Sequence, residues 1–259
     1  MERIRYYSDD LNDDFALNHI TTRKLEADFR YVRDNVIWRA CGFLLFHLVA
    51  KPLTFCWLKV KFHQKFVDRG LVKPFRKTGY FIYANHTNGD LDAFVPAHLS
   101  SPKKAFIVCS PDATSIRGLR NVVMMLGGIP TFTAVSGGRK FKDAIKARIG
   151  EGKAVAIYPE AHIWPYYTDV RPFKDVSMTY PCELSAPCFA LTNIYMKRRF
   201  SLSKRPRVIS LVSGPFYPDP DLPLKEARRK LRDEIYGSMK TAVHKYQSYE
   251  YIKYVKKEK

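Results

Sequence analysis

Apolar positions along the first part of the chain recur with helical spacing. Leu25, Phe29, Val32 and Val36 share one face, and Thr21 or Thr22 is placed to cap such a helix. The most apolar run follows, Val36 to Ala50, interrupted by Arg39 and His47. Eleven residues separate Arg39 from Lys51. That is about 17 Å of helix against a hydrocarbon core of about 30 Å, too short to cross a bilayer. Pro52 is expected to break the run. A second helix from Leu53 to Phe66 carries Phe55, Leu58, Phe62 and Phe66 on one stripe, with Trp57, Lys59, Lys61 and Lys65 nearby. Two short helices of this kind suit an amphipathic hairpin lying in a membrane interface, and also suit helices packed on a globular core.

From Lys73 onward the period shortens. Apolar runs at Tyr80–Ala84, Ala105–Cys109, Ala154–Tyr158, Pro187–Thr192 and Val208–Val212 have the length and β-branched or aromatic content of strands. Helical patterns lie between them at Leu91–Leu99, Ile116–Leu126 and Lys140–Ile149. Alternation of this kind predicts an α/β fold, a mixed sheet flanked by helices. After a proline-rich linker, Gly214–Pro223, the residues Leu224, Ala227, Leu231, Ile235, Met239, Ala242 and Tyr246 mark a long C-terminal helix. Residues 1–72 therefore form an N-terminal helical segment and residues 73–259 an α/β domain.

Composition changes this picture in two ways. Forty-four Lys and Arg against twenty-five Asp and Glu give a net charge of +19, and aromatics reach 14%. The cations are interleaved with aromatics and show no RNP-like, zinc-finger or helix-turn-helix signature, so nucleic acid is not the expected partner. A cytoplasmic-face membrane surface with anionic lipid is, held peripherally or monotopically. The five cysteines are odd in number and include no C-x-x-C pair, which fits reduced thiols in a cytoplasmic setting.

Chemistry concentrates at two strand ends. His86 follows the first α/β strand and is trailed by Asp90 and Asp92; Glu160 stands where the strand at Ala154–Tyr158 stops. In α/β sheets the loops beyond the strand carboxyl ends meet ligands. A histidine there can take a proton while a carboxylate fixes its tautomer. No G-x-S-x-G elbow is present, Cys109 and Cys188 have no visible histidine companion, and no metal-ligand spacing surrounds His86 and His162. A reaction without metal or cofactor is expected.

Four blocks occur in order: Asn85-His86 with Asp92, Gly127 to Thr131, Tyr158-Pro159-Glu160, and Ala186 to Ala190. Together they resemble the glycerolipid acyltransferase family, 1-acylglycerol-3-phosphate acyltransferase-like and of the Gram-positive type, over roughly Lys73 to Tyr217. Two departures stand out. The family's commonest spacing would put the acid at Leu91, whereas this chain offers Asp90 or Asp92; the context resembles the five-residue form, so Asp92 is chosen. The family's Arg after the Glu is replaced here by Ala161-His162-Ile163-Trp164, leaving Arg171 and then Arg139 as candidates for the substrate phosphate.

The resemblance implies an enzyme of phospholipid biosynthesis that moves a fatty acyl group onto the hydroxyl of a lysophosphatidic-acid-like acceptor. The donor would be acyl-CoA or acyl carrier protein. His86 would be the base, Asp92 its partner, and Glu160 with Arg171 and Arg139 would bind substrate. An enzyme of the same family with another acceptor, and a non-catalytic membrane lipid-binding protein, are the alternatives.

Overall fold

The computed structural model describes residues 3–16, 23–26, 29–33, 35–116, 118–199, 204–246 and 249–257. The α/β expectation holds. A seven-stranded sheet runs in the order β2 (Lys65–Val67), β8 (Arg207–Phe216), β7 (Cys188–Met196), β3 (Tyr80–Ala84), β6 (Ala154–Ile157), β4 (Ala105–Cys109), β5 (Gly128–Pro130). All its pairings are parallel except β7 with β8. A separate parallel pair joins the chain's two ends, β1 (Ile4–Tyr7) against β9 (Lys253–Lys256).

Period-two alternation assigns the two faces of the sheet. Phe81 and Tyr83 of β3, Val155 and Ile157 of β6, and Ala190 and Ile194 of β7 face one layer. That layer includes Phe141 and Ile145 of α6 (Gly138–Gly150) and Leu231, Ile235 and Met239 of α8 (Leu224–Lys245). Tyr80, Ile82 and Ala84 turn the other way, with Leu58 and Phe62 of α2 (Lys51–Phe62) and Leu91, Val95 and Leu99 of α3 (Gly89–Leu99). Both sheet faces are thus dry, which is why the central strands are apolar almost throughout. Each fully buried Leu, Ile or Phe here contributes about 1.5–3 kcal/mol. Shorter α-helices lie between the strands at α4 (Asp112–Ser115), α5 (Arg120–Leu126) and α7 (Thr179–Leu184).

The N-terminal part departs from its periodicity. Residues 23–26, 29–33 and 35 are not helical, and Thr21 and Thr22 lie outside the described residues. Phe29 is instead buried edge-on to Tyr31, with the Arg120 guanidinium over its ring at 5.3 Å. The hairpin is likewise replaced by one continuous helical run, Val36–Phe62, built of α1 (Val36–Leu44), a π segment (Leu45–Ala50) and α2. Pro52 does not break it. Proline clashes with a regular i−4 carbonyl, and the widened π turn immediately before it absorbs that demand. Asn35 caps the start through its side chain, and His63 ends the run in the left-handed conformation at φ 46°. Phe66 is therefore in strand β2, not on the helix.

At 27 residues this run is long and apolar enough to cross a membrane, but it is fastened to the domain along its length. Gly42 lies against Met125, Phe46 is buried beneath Lys104, Thr54 bonds His98 at 2.9 Å, and Leu58 and Phe62 enter the core. Its other face, with Ile37, Phe43, Leu48, Leu53, Phe55, Trp57 and Val60, is open to solvent.

One further segment differs from its periodicity. The helix expected at Ile116–Leu126 starts only at Arg120, because Ile116 turns extended after α4 and Gly118 takes φ 81°. Gly127 is needed where it stands: its φ is 108°, and a Cβ would come within 2.7 Å of the Ala105 carbonyl. The Gly127–Thr131 block therefore turns the chain tightly from α5 into edge strand β5.

Candidate active site

β3 and β6 are parallel neighbours, so their carboxyl ends deliver His86 and Glu160 to one place. Asn85, at the end of β3, donates to the Asn193 carbonyl (3.0 Å) and accepts from the Asn193 N–H (2.8 Å). Asn193 is held in turn by Ser210 at 2.7 Å. This buried amide brace fixes where the His86 turn leaves the sheet. Asn88 then caps α3, accepting from the N–H groups of Asp90 and Leu91. The first turn of α3 carries Asp92 back toward the imidazole.

His86 Nδ1 and Asp92 Oδ2 are 2.7 Å apart. The same carboxylate oxygen accepts the Asn88 N–H at 3.0 Å. Burial raises the Asp92 carboxyl above its ordinary range, while the hydrogen bond from His86 pulls it down. The five-residue spacing works because the capped turn places Leu91 in the core, 0% exposed, and Asp92 one position on. Asp90 points elsewhere, into an ion pair with Lys61. Tyr158 completes the setting: its ring stacks on the imidazole at 4.6 Å, and its hydroxyl donates to the Asp92 carbonyl at 2.6 Å. With Nδ1 engaged, Nε2 is the ring nitrogen available to a substrate, and no described residue bonds it.

Glu160 and Arg171 meet in the interior. Glu160 Oε2 accepts the His86 N–H and Oε1 accepts the Arg171 N–H, both at 3.2 Å. The Arg171 guanidinium lies 3.5 Å from Glu160 Oε2 and donates to the carbonyls of Asp10, Glu160 and His162. It also sits over the Trp164 ring at 5.0 Å. Side-chain exposures are 1% for Arg171 and 0% for Glu160. Burial pushes the Glu160 carboxyl up to about 7, against the pull of Arg171 and of the two N–H donors.

The loop after Glu160 zips along the His86 turn, with Trp164 N–H donating to the His86 carbonyl (3.1 Å) and Tyr166 N–H to that of Thr87 (2.8 Å). The N-terminal segment backs this loop: Trp164 donates its indole N–H to Asp13, and its ring stacks on Tyr254 of β9. Arg139 is exposed in the first turn of α6, on the carboxyl-end side of the sheet beyond β5.

Several members of this arrangement had no distinct signal in the sequence. Tyr158 was marked only by preceding Pro159-Glu160, and Asn193, Ser210, Trp164 and Tyr166 only by being polar or aromatic near strand ends. Cys109 and Cys188 are poor nucleophiles, since burial pushes Cys109 up to about 12 and Cys188 well above its ordinary range. Among the described residues, no group of three or more His, Cys, Asp or Glu is placed to hold a metal.

No protein-family model matches the chain, and no curated protein matches it. Among solved structures it is similar to the 1-acyl-sn-glycerophosphate (LPA) acyltransferase PlsC from Thermotoga maritima. The identity is 13% and the TM-score 0.49, over 80% of this chain and 96% of that one.

Proposed function

We propose that this protein is a membrane-surface O-acyltransferase that esterifies the hydroxyl of a lysophosphatidic-acid-like acceptor with a fatty acyl group. The donor is a thioester, acyl-CoA or acyl carrier protein. The observation that carries this reading is the His86–Asp92 pair at a strand carboxyl end, with Nε2 left to a substrate. A thioester already has a good leaving group, so the chemical demand is to make a hydroxyl nucleophilic near neutral pH. His86 Nε2 takes the hydroxyl proton as the oxygen attacks the thioester carbonyl. The tetrahedral intermediate then collapses, the C–S bond breaks, and the departing thiolate receives the proton from the imidazolium. Asp92 holds the tautomer and stabilises the cation that forms between these steps.

On this reading Glu160 and Arg171, enclosed and bonded to each other, support the His86 backbone. Asp92→Asn is expected to lower turnover strongly, because the amide can present an N–H where Nδ1–H needs an acceptor. Asp90→Asn, which loosens only the Lys61 pair, should change it little. Steady-state rates of the two variants test this, and the reverse ranking would assign the acid to Asp90.

The Val36–Phe62 helix supplies membrane contact on this reading. Its fastened face stays on the domain, and its open face enters the headgroup boundary of the cytoplasmic leaflet, with Lys and Arg at the flanks meeting anionic lipid. High salt or alkaline carbonate should release at least part of the protein from membranes. Complete retention, with protease-accessible sites on both sides, would mean that the helix spans.

A further inference from the structure

With the Arg171 guanidinium enclosed, an anionic substrate approaching His86 must find its counter-charge elsewhere at the carboxyl end of the sheet. The strand beside β3 offers it. β7 is parallel to β3, Asn85 braces Asn193, and the Tyr195 hydroxyl bonds Thr87 at 2.8 Å. Residues that follow Tyr195 therefore emerge next to the His86 turn. Residues 197–207 hold six cations and no acid in eleven positions, and 200–203 lie outside the described residues.

This loop is anchored to a second basic element. Arg198 donates to the Lys61 carbonyl at the end of α2, and to the Pro206 carbonyl at 3.4 Å. Lys61 reaches back to Asp90 in the first turn of α3 and neutralises it. Tyr166, whose N–H bonds Thr87, shows the convergence of charge. Burial raises its phenol, and Lys61 and Arg205 both act on it in the opposite direction. Lys197, Arg199 and Lys204 are exposed around the same rim.

We propose that Lys197, Arg199 and Lys204, at the two described ends of the β7–β8 connection, form a phosphate-binding rim of the His86 site, held against α2 by Arg198. Its ligand is a phosphate-bearing substrate, with the phosphate on the acyl acceptor or on a coenzyme A donor. The naming of those two sources rests on the acyltransferase reading; the anionic chemistry does not. Arginine forks suit two phosphate oxygens at once, and the lysines add positive charge at the rim.

The test uses full-length protein with Lys197, Arg199 and Lys204 replaced together by glutamine, beside wild type. Equilibrium dialysis measures binding of coenzyme A and, separately, of glycerol 3-phosphate. The substituted side chains are exposed, so the thermal midpoint should not move. Affinity for one probe should fall about tenfold or more, as for loss of a charge-assisted hydrogen bond, and the probe affected identifies the source. The proposal is overturned if wild type binds neither probe, or if both affinities are unchanged. It is equally overturned if only binding to phosphatidylglycerol vesicles weakens, which would make the loop a membrane contact. Acyl transfer is followed in parallel. Absent turnover with a charge-dependent loss of probe binding sinks the acyltransferase reading and leaves the rim. Turnover whose KM values ignore the triple variant does the opposite.

Discussion

Replacing His86 with alanine is expected to reduce acyl transfer by about 10²–10⁴, the contribution of a positioned general base, while the fold stays intact. The side chain is 17% exposed and makes one hydrogen bond, to Asp92. What holds the turn together is its backbone, because the His86 N–H donates to Glu160 and its carbonyl accepts from Trp164. Alanine keeps both. Asp92 loses its partner, but its Oδ2 still accepts the Asn88 N–H at 3.0 Å, so the carboxyl keeps a hydrogen bond. Circular dichroism and vesicle binding should match wild type, and a wild-type rate in this variant would remove His86 from the mechanism.

Arg171→Ala should be the most destabilising of the site substitutions, since it removes the buried guanidinium beside Glu160, and each buried acceptor left unpaired costs about 1–3 kcal/mol. It also takes three donors away from the carbonyls of Asp10, Glu160 and His162. The loop that zips to the His86 backbone would loosen, so kcat should fall while KM for the phosphate-bearing acceptor changes little. Chemical denaturation and steady-state kinetics read both effects. A variant of wild-type stability whose acceptor KM alone rises would instead return Arg171 to the substrate phosphate.

The same pair leaves a pH signature. Burial holds the Glu160 proton up to about 7, whereas a carboxyl in an unfolded chain ionises near about 4.3. Between those values the unfolded chain has lost a proton that the folded chain keeps. The residue's contribution to stability therefore declines as pH rises through that window and is constant above it. Glu160→Gln should remove that part of the slope.

Legibility in the sequence followed physical locality. The strands at Tyr80–Ala84 and Ala105–Cys109 and the helix after Pro223 were readable because each buries a face set by its own period. Edge strands β2 and β5 were not, being three residues each, too short for alternation to register. Pro52 misled, since a π turn that accommodates it is a property of backbone geometry rather than of residue type. At the site, His86, Asp92 and Glu160 could be placed at strand ends, because a parallel sheet brings such ends together. The pairing of Glu160 with Arg171 could not, for it depends on the path of the intervening loop and on the N-terminal segment packed behind it. That path is fixed by Trp164, Tyr254 and Asp13, which are distant in sequence. In one dimension Arg171 is an arginine near a motif glutamate; in three it lies enclosed beside that glutamate.

The central claim is acyl transfer to a lipid hydroxyl, and incubation of the purified protein with radiolabelled acyl-CoA or acyl carrier protein and a panel of lysolipids tests it most directly. The account predicts label in an ester of lysophosphatidic acid or a related phosphate-bearing acceptor, formed by wild type and lost in His86→Ala. Lysolipid binding with no ester formed from either donor on any acceptor would contradict it, and would make the protein a lipid binder built on the same sheet.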